Sequence, residues 1–217
     1  MESGENAIIM DDFIKTFNAG GAVMYPLLLA SILTIALGIE RLYFWNKIGR
    51  RATLPTRPVL VLYQNGSPLV IDRLEREQDL PIARIFMAAI GLKDPTPEEF
   101  RLAMESEAHA EIPILRRFID IFDAIIGLAP LLGLLGTVTG LIASFSSLKI
   151  GQSVGAGSNN VVGGIAEALI STATGVIVAV MASLCANLFR ALYQRQMSQI
   201  QESTGQLELI HRRNWQQ

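Results

Sequence analysis

Charge is what this sequence has least of. Only 18% of its 217 residues are Asp, Glu, Lys or Arg, where a globular chain carries roughly a quarter, so the polar surface that a soluble fold of this length needs is missing. Cysteine is almost absent as well: Cys185 stands alone, which excludes an internal disulfide. The two histidines, His109 and His211, lie far apart with no metal-ligand spacing, and no serine stands in a His/Asp context, so neither metal-dependent nor nucleophilic catalysis is indicated. The run Gly155-Ala156-Gly157-Ser158-Asn159-Asn160 lacks the Gly-Lys-Ser/Thr of a phosphate loop and reads as a flexible hairpin. The 18 glycines and 9 prolines follow no period, and a net charge of −2 gives no global attraction to nucleic acid. No enzyme activity and no cofactor is expected.

What is present is apolar sequence. Half of the residues are hydrophobic, mean hydropathy is +0.36, and the charges leave three gaps: Thr16 to Ile39, Ala124 to Leu148 and Ala168 to Phe189, of 24, 25 and 22 residues. About 20 apolar residues at 1.5 Å each cross a hydrocarbon core of ~30 Å, so each gap is long enough to span a bilayer. The fold class predicted is therefore an all-α integral membrane protein with three transmembrane helices and long cytoplasmic helical extensions. Acidic residues (Glu2, Glu5, Asp11, Asp12) precede the first gap and no small-residue cleavage site follows a short apolar core, so it reads as a retained span and not as a signal peptide.

Basic residues set the orientation. Arg41, Lys47, Arg50 and Arg51 follow the first span, Arg116 and Arg117 precede the second, and Arg190 and Arg195 follow the third, whereas the opposite sides carry only Lys15 and Lys149. The organisation expected is an external N-terminal segment over 1–20, spans over 21–44, 123–148 and 165–189, a cytoplasmic helical domain over 45–122, an external loop over 149–164 and a cytoplasmic tail over 190–217. Tyr25 and the cluster Tyr43, Phe44 and Trp45 mark the two ends of the first span as interfacial aromatics do.

The segment from Glu40 to Asp123 holds 12 basic and 13 acidic residues, the balance of a solvated helical domain. Pro55, Pro58 and the turn Asn65-Gly66 restrict residues 54–66 to short structure. Pro68 to Leu92 carries apolar residues at helical intervals, interrupted at Pro81. Thr96-Pro97-Glu98-Glu99 is a helix start: a cap, proline in the first turn and acids at the positive end of the dipole. With no strong stop until past Phe145, one helix is expected from Pro97 through the second span, bent at Pro113 and Pro130 and on the order of 75 Å long. The third span is expected to continue through Arg195 to about Leu209, giving a helical stalk.

The first span is mostly Leu, Ile and Ala and suits a lipid-facing helix. The other two are rich in small and hydroxyl residues, which let helix backbones approach and hydrogen-bond in lipid. At 100° per residue, Gly133, Thr137, Gly140, Ser144 and Ser147 share one face of the second helix, and Thr172, Ala179, Ser183 and Asn187 one face of the third. Two readings stay open: packing stripes of a static scaffold that conducts nothing, or the lining of a narrow hydrated path or socket. No Asp, Glu, Lys, Arg or His lies inside any uncharged run, and Glu40 and Glu167 stand at their edges. A titrating group for proton transfer must then come from another polypeptide, or water must carry the proton past hydroxyls. Glu167 reads equally as an interfacial carboxylate with no transport role.

The runs Gly21-Ala22-Val23-Met24-Tyr25-Pro26-Leu27 with Ile39-Glu40-Arg41-Leu42, Pro130 to Phe145 (PLLGLLGTVTGLIASF) and Gly164 to Val178 (GIAEALISTATGVIV) together resemble the MotA/TolQ/ExbB proton-channel family. Three spans favour the ExbB/TolQ type over MotA, which has four. The resemblance implies a homopentameric ring in a bacterial inner membrane around a pair of single-span ExbD- or TolR-type helices whose membrane aspartate carries the proton, delivering force to TonB- or TolA-type proteins. It also implies an ion pathway through Thr137, Thr172, Glu167 and Asn187, with Gly133, Gly140, Ser144, Gly175, Ala179 and Ser183 in helix packing or pore lining. Many ExbB members have proline where this chain has Met181. ExbB and TolQ roles, and protons and sodium, remain alternatives.

Overall fold

The structure, a computed structural model, describes residues 16–51, 56–146 and 158–216. Its helices are α1 (Met24–Arg51), α2 (Thr56–Gln64), α3 (Leu69–Glu75), α4 (Pro81–Ile90), α5 (Pro97–Arg116), α6 (Ile119–Ser146) and α7 (Ser158–Trp215), with no strand among the described residues. Three stretches are long and apolar enough to cross a membrane: Met24–Gly49, Pro97–Ser146 and Val162–Trp215. Residues 1–15 of the expected external segment and 147–157, including Ser147, Lys149 and the first half of the expected hairpin, lie outside the described residues. The second half of that hairpin, 158–160, and the rest of the expected loop to 164 are instead helical and open α7, with Ser and Asn, residue types favoured at helix starts, at its head.

The chain divides into two compact units, Met1–Ile39 with Phe118–Asn187, and Glu40–Arg117 with Leu188–Gln217. In the first, the contact between α6 and α7 is made mostly by small residues, and many large ones face outward. Ala129, Gly133, Gly136, Gly140 and Ser144 of α6 are buried, as are Ala168, Ser171, Gly175, Ala179, Ala182 and Ala186 of α7. Leu131, Leu134, Ile142 and Phe145 of α6 and Leu169, Ile177 and Leu184 of α7 are exposed, as are Leu29, Ile32 and Ile39 of α1. Water would penalise that arrangement. Hydrocarbon favours it, because lipid solvates leucine as well as a core does and helix contact then depends on close backbone approach.

In the second unit the arrangement reverses, with Leu74, Ile85, Phe86, Phe100, Leu115 and Leu207 buried. α5 begins with the expected cap: Thr96 Oγ1 accepts from the Glu99 N–H and the Glu99 carboxylate accepts from the Thr96 N–H at 2.8 Å, the reciprocal pattern of a capping box. Arg84 of α4 makes a two-pronged pair with Glu111 of α5, one prong 2.7 Å long, and Glu111 is 3% exposed. Two-pronged pairing supplies the partners that a buried carboxylate requires. His211 of α7 stacks on Phe100, ring centres 4.0 Å apart. Its Nε2 lies 3.0 Å from the Pro95 carbonyl and its Nδ1 2.8 Å from the Tyr63 hydroxyl. A carbonyl only accepts, so Nε2 donates there, and in the neutral ring Nδ1 accepts from Tyr63. Burial pushes the Tyr63 phenol up, which keeps it a donor.

One expectation fails. No single helix runs from Pro97 through the second span: α5 ends at Arg116, Arg117 is extended, Phe118 has φ +70°, and α6 begins at Ile119. Pro113 and Pro130 lie inside unbroken helices. The break has a chemical partner. In a continuous helix the Ile114 carbonyl would accept from the Phe118 N–H; instead the Arg41 guanidinium donates to it at 3.2 Å. Arg41 is 2% exposed, pairs with Glu40 at 2.7 Å and lies 4.2 Å above the Phe44 ring. A buried cation at the negative end of α5 both satisfies an orphan carbonyl and complements the dipole.

Candidate functional site

The uncharged parts of α6 and α7 run antiparallel and touch along glycine. A Cβ on Gly133 would stand 3.0 Å from the Ser171 carbonyl oxygen and the Thr172 Cα, and one on Gly140 2.8 Å from the Gly164 carbonyl oxygen. One on Gly175 would stand 3.1 Å from the Gly133 Cα, and one on Gly136 would overlap the Ser171 side chain. Only residues without side chains let the two backbones lie so close. Hydroxyls close the remaining valences. Ser144 Oγ donates to the Gly140 carbonyl at 2.9 Å, and Ser171 Oγ to that of Ala168 at 2.9 Å.

The two threonines stand at the edge of this seam, each half-buried. Thr172 Oγ1 donates across it to the Gly133 carbonyl at 3.0 Å, while Thr137 Oγ1 turns back to the Leu134 carbonyl at 2.6 Å. The Gly133 carbonyl is also the helical acceptor for the Thr137 N–H, so both threonines converge on one oxygen without touching through their hydroxyls. A threonine hydroxyl that donates to a carbonyl keeps lone pairs that accept from water. The pair can therefore hold a water chain at one level, yet neither residue titrates.

Glu167 is half-buried, and its carboxylate occupies the place a side chain on Gly21 would take. Gly21 has φ +71°, a backbone that glycine adopts at no steric cost. Along the expected stripe of α7, Ala179 is buried, Ser183 half-buried and Asn187 exposed, with Asn187 Nδ2 3.4 Å from Ser183 Oγ. The stripe thus leaves the seam as it descends. No group of three or more metal-ligating side chains occurs among the described residues.

Ser171 and Gly136 are seam residues that the helical-face reading left out. Both are buried and meet each other, but a projection of one helix does not say which of several small-residue faces the neighbouring helix takes. Arg41 was also missed as a cap, since its acceptor is 73 residues away and no local signal marks it.

An all-helical chain with three membrane-length apolar stretches and a glycine-lined seam is an integral membrane protein. The profile of the MotA/TolQ/ExbB proton channel family matches residues 77–202. A Synechocystis sp. protein named as a biopolymer transport protein, ExbB-like 3, is 51% identical over 195 residues, covering 90% of this chain and 93% of that one. A second Synechocystis protein of the same naming, ExbB-like 1, is 41% identical over 211 residues, 95% of this chain and 80% of its own length. An ExbB homologue from Methanothermobacter thermautotrophicus is 26% identical over 208 residues, 93% of this chain and 69% of its own. The chain belongs to the MotA/TolQ/ExbB proton channel family.

Proposed function

We propose that the chain is an ExbB/TolQ-type subunit of a motor driven by the proton-motive force. Five copies would form a ring in a bacterial inner membrane, N-termini outside and C-termini cytoplasmic. The ring would enclose a pair of single-span ExbD/TolR-type helices and energise TonB-dependent uptake or Tol-Pal-type envelope work. The observation that carries this reading is the pairing of Thr137 and Thr172 about the Gly133 carbonyl in a unit whose uncharged runs hold no Asp, Glu, Lys, Arg or His. Such a site can pass a proton or position its carrier water but cannot bind the proton, so the titrating carboxylate belongs to a partner. On this reading Glu167 and Asn187 flank the path at its outer and inner ends. Gly133, Gly140, Ser144, Gly175, Ala179 and Ser183 hold its wall. Energetically the scheme is adequate: one charge moving through 100 mV releases about 2.3 kcal/mol, more than a typical interhelical hydrogen bond contributes in a membrane, about 0.6 kcal/mol.

The second reading, a static scaffold, draws on the same seam, because every seam hydroxyl already has a carbonyl acceptor within the chain. Native mass spectrometry of the detergent-solubilised protein separates the two at the level of assembly. A pentamer that retains a single-span partner supports the motor; a monomer or simple dimer sinks it.

A further inference from the structure

The Gly133 carbonyl is approached by more than one hydroxyl. Thr172 Oγ1 donates to it at 3.0 Å, and Ser171 Oγ stands 3.4 Å from the same oxygen and 2.9 Å from the Ala168 carbonyl of its own helix. Neighbouring residues of α7 thus bring two hydroxyls to one oxygen of α6. Ser171 is fully buried, 0% exposed. Its space is provided by Gly136, where any Cβ would overlap the Ser171 hydroxyl.

A serine hydroxyl has one proton to donate, and Ser171 has two carbonyls within reach. It can leave Ala168 at little cost, because that carbonyl keeps its helical bond from the Thr172 N–H. Rotation of one hydroxyl therefore moves the Ser171 proton from an acceptor on its own helix to the Gly133 carbonyl across the seam. No helical bond breaks in the exchange.

The exchange bears on Thr172. A hydroxyl in a water chain accepts from the neighbour on one side and donates to the neighbour on the other. While Thr172 donates to Gly133 it can only accept from water. To donate it must leave the carbonyl, and Gly133 is buried, where an acceptor that loses a partner opposes the turn. On the motor reading, on which this role rests, we propose that Ser171 is a positioning residue of the proton path. It takes over the Gly133 carbonyl as Thr172 turns away, and so frees the Thr172 hydroxyl to donate to the carrier water. Ser171 itself stays in the seam and does not handle the proton.

Ser171→Ala removes the hydroxyl and adds no bulk to the seam, so the full-length chain should still assemble with its single-span partner. The complex is reconstituted in vesicles, and proton flux under an imposed potential is read with an internal pH dye for the wild type, Ser171→Ala, Thr172→Val and the double variant. At wild-type mass by native mass spectrometry, Ser171→Ala is predicted to lower flux about threefold, the worth of one average interhelical hydrogen bond in lipid expressed as a rate. In the Thr172→Val background the same substitution should change nothing, because the hydroxyl that Ser171 serves is gone. A packing role would cost the same factor in both backgrounds, and that result overturns the proposal. Flux at the wild-type level in Ser171→Ala overturns it too, as does loss of assembly, which would make Ser171 a packing residue. The motor reading fails by a different sign: Thr172→Val alone would then conduct as the wild type does, whereas a Thr172→Val loss with no Ser171→Ala loss strikes out only the role of Ser171.

Discussion

Thr172 and Gly133 are joined across the seam by a hydroxyl-to-carbonyl hydrogen bond of 3.0 Å. The contact ties α7 to the turn of α6 from which Thr137 projects, so the two threonines are held at one level by backbone and not by each other. Strength here comes mainly from close packing, since a single interhelical hydrogen bond in lipid contributes about 0.6 kcal/mol on average.

The glycines of the seam are therefore predicted to matter more than its hydroxyls. Gly136→Leu forces a side chain onto Ser171 and should destabilise the protein by about 1–3 kcal/mol, the usual range for overpacking. Gly127→Ala, inside the same helix but where an added Cβ meets nothing within 4 Å, should cost nothing and raise stability by up to about 1 kcal/mol, alanine being the better helix former. Thermal unfolding in detergent, followed by circular dichroism, reads both.

Arg41→Gln is expected to loosen the end of α5. It withdraws the charged donor from the Ile114 carbonyl and leaves Glu40, 44% exposed, without its neighbour, at a cost of about 1 kcal/mol, the scale of one partly exposed hydrogen bond. Hydrogen exchange localises the effect: amides of residues 114–117 should lose protection, while those of α4 keep theirs.

Tyr63 and His211 should behave as a coupled pair. Tyr63→Phe removes the donor to Nδ1, His211→Phe keeps the stack on Phe100 but removes both polar contacts, and each alone should cost about 1 kcal/mol. The double variant should cost less than the two singles together, because residues in one hydrogen-bond network are not additive. Denaturant midpoints of the four proteins complete the cycle.

Much of this architecture is legible along the chain. Runs without charge mark the three spans, because a bilayer excludes charge more sharply than any soluble core. Thr96, Pro97 and Glu99 announce the start of α5 because a capping box is local chemistry. What could not be read depends on residues distant in sequence. The break at Phe118 is matched by Arg41, whose acceptor belongs to another helix, and prolines 113 and 130, the conspicuous local breakers, sit in helices that simply forgo one bond each. The seam is an intermediate case. Gly133, Gly140 and Ser144 are visible as a stripe, but burial shifts the contact toward Gly136 and Ser171 and leaves Thr137 at its edge, because the rotation of one helix against another is set by both surfaces at once.

The measurement that bears most directly on the motor is proton flux. Thr→Val keeps the side-chain shape and removes the hydroxyl, so a Thr137→Val, Thr172→Val chain should assemble with its single-span partner as the wild type does. The complex is reconstituted in vesicles and flux under an imposed potential is followed with an internal pH dye. The account predicts that the double variant, with wild-type mass by native mass spectrometry, loses flux by about tenfold or more, the effect of raising the barrier by about 1.4 kcal/mol or more. Flux at the wild-type level in that variant would contradict it and leave the two threonines as packing residues of the seam.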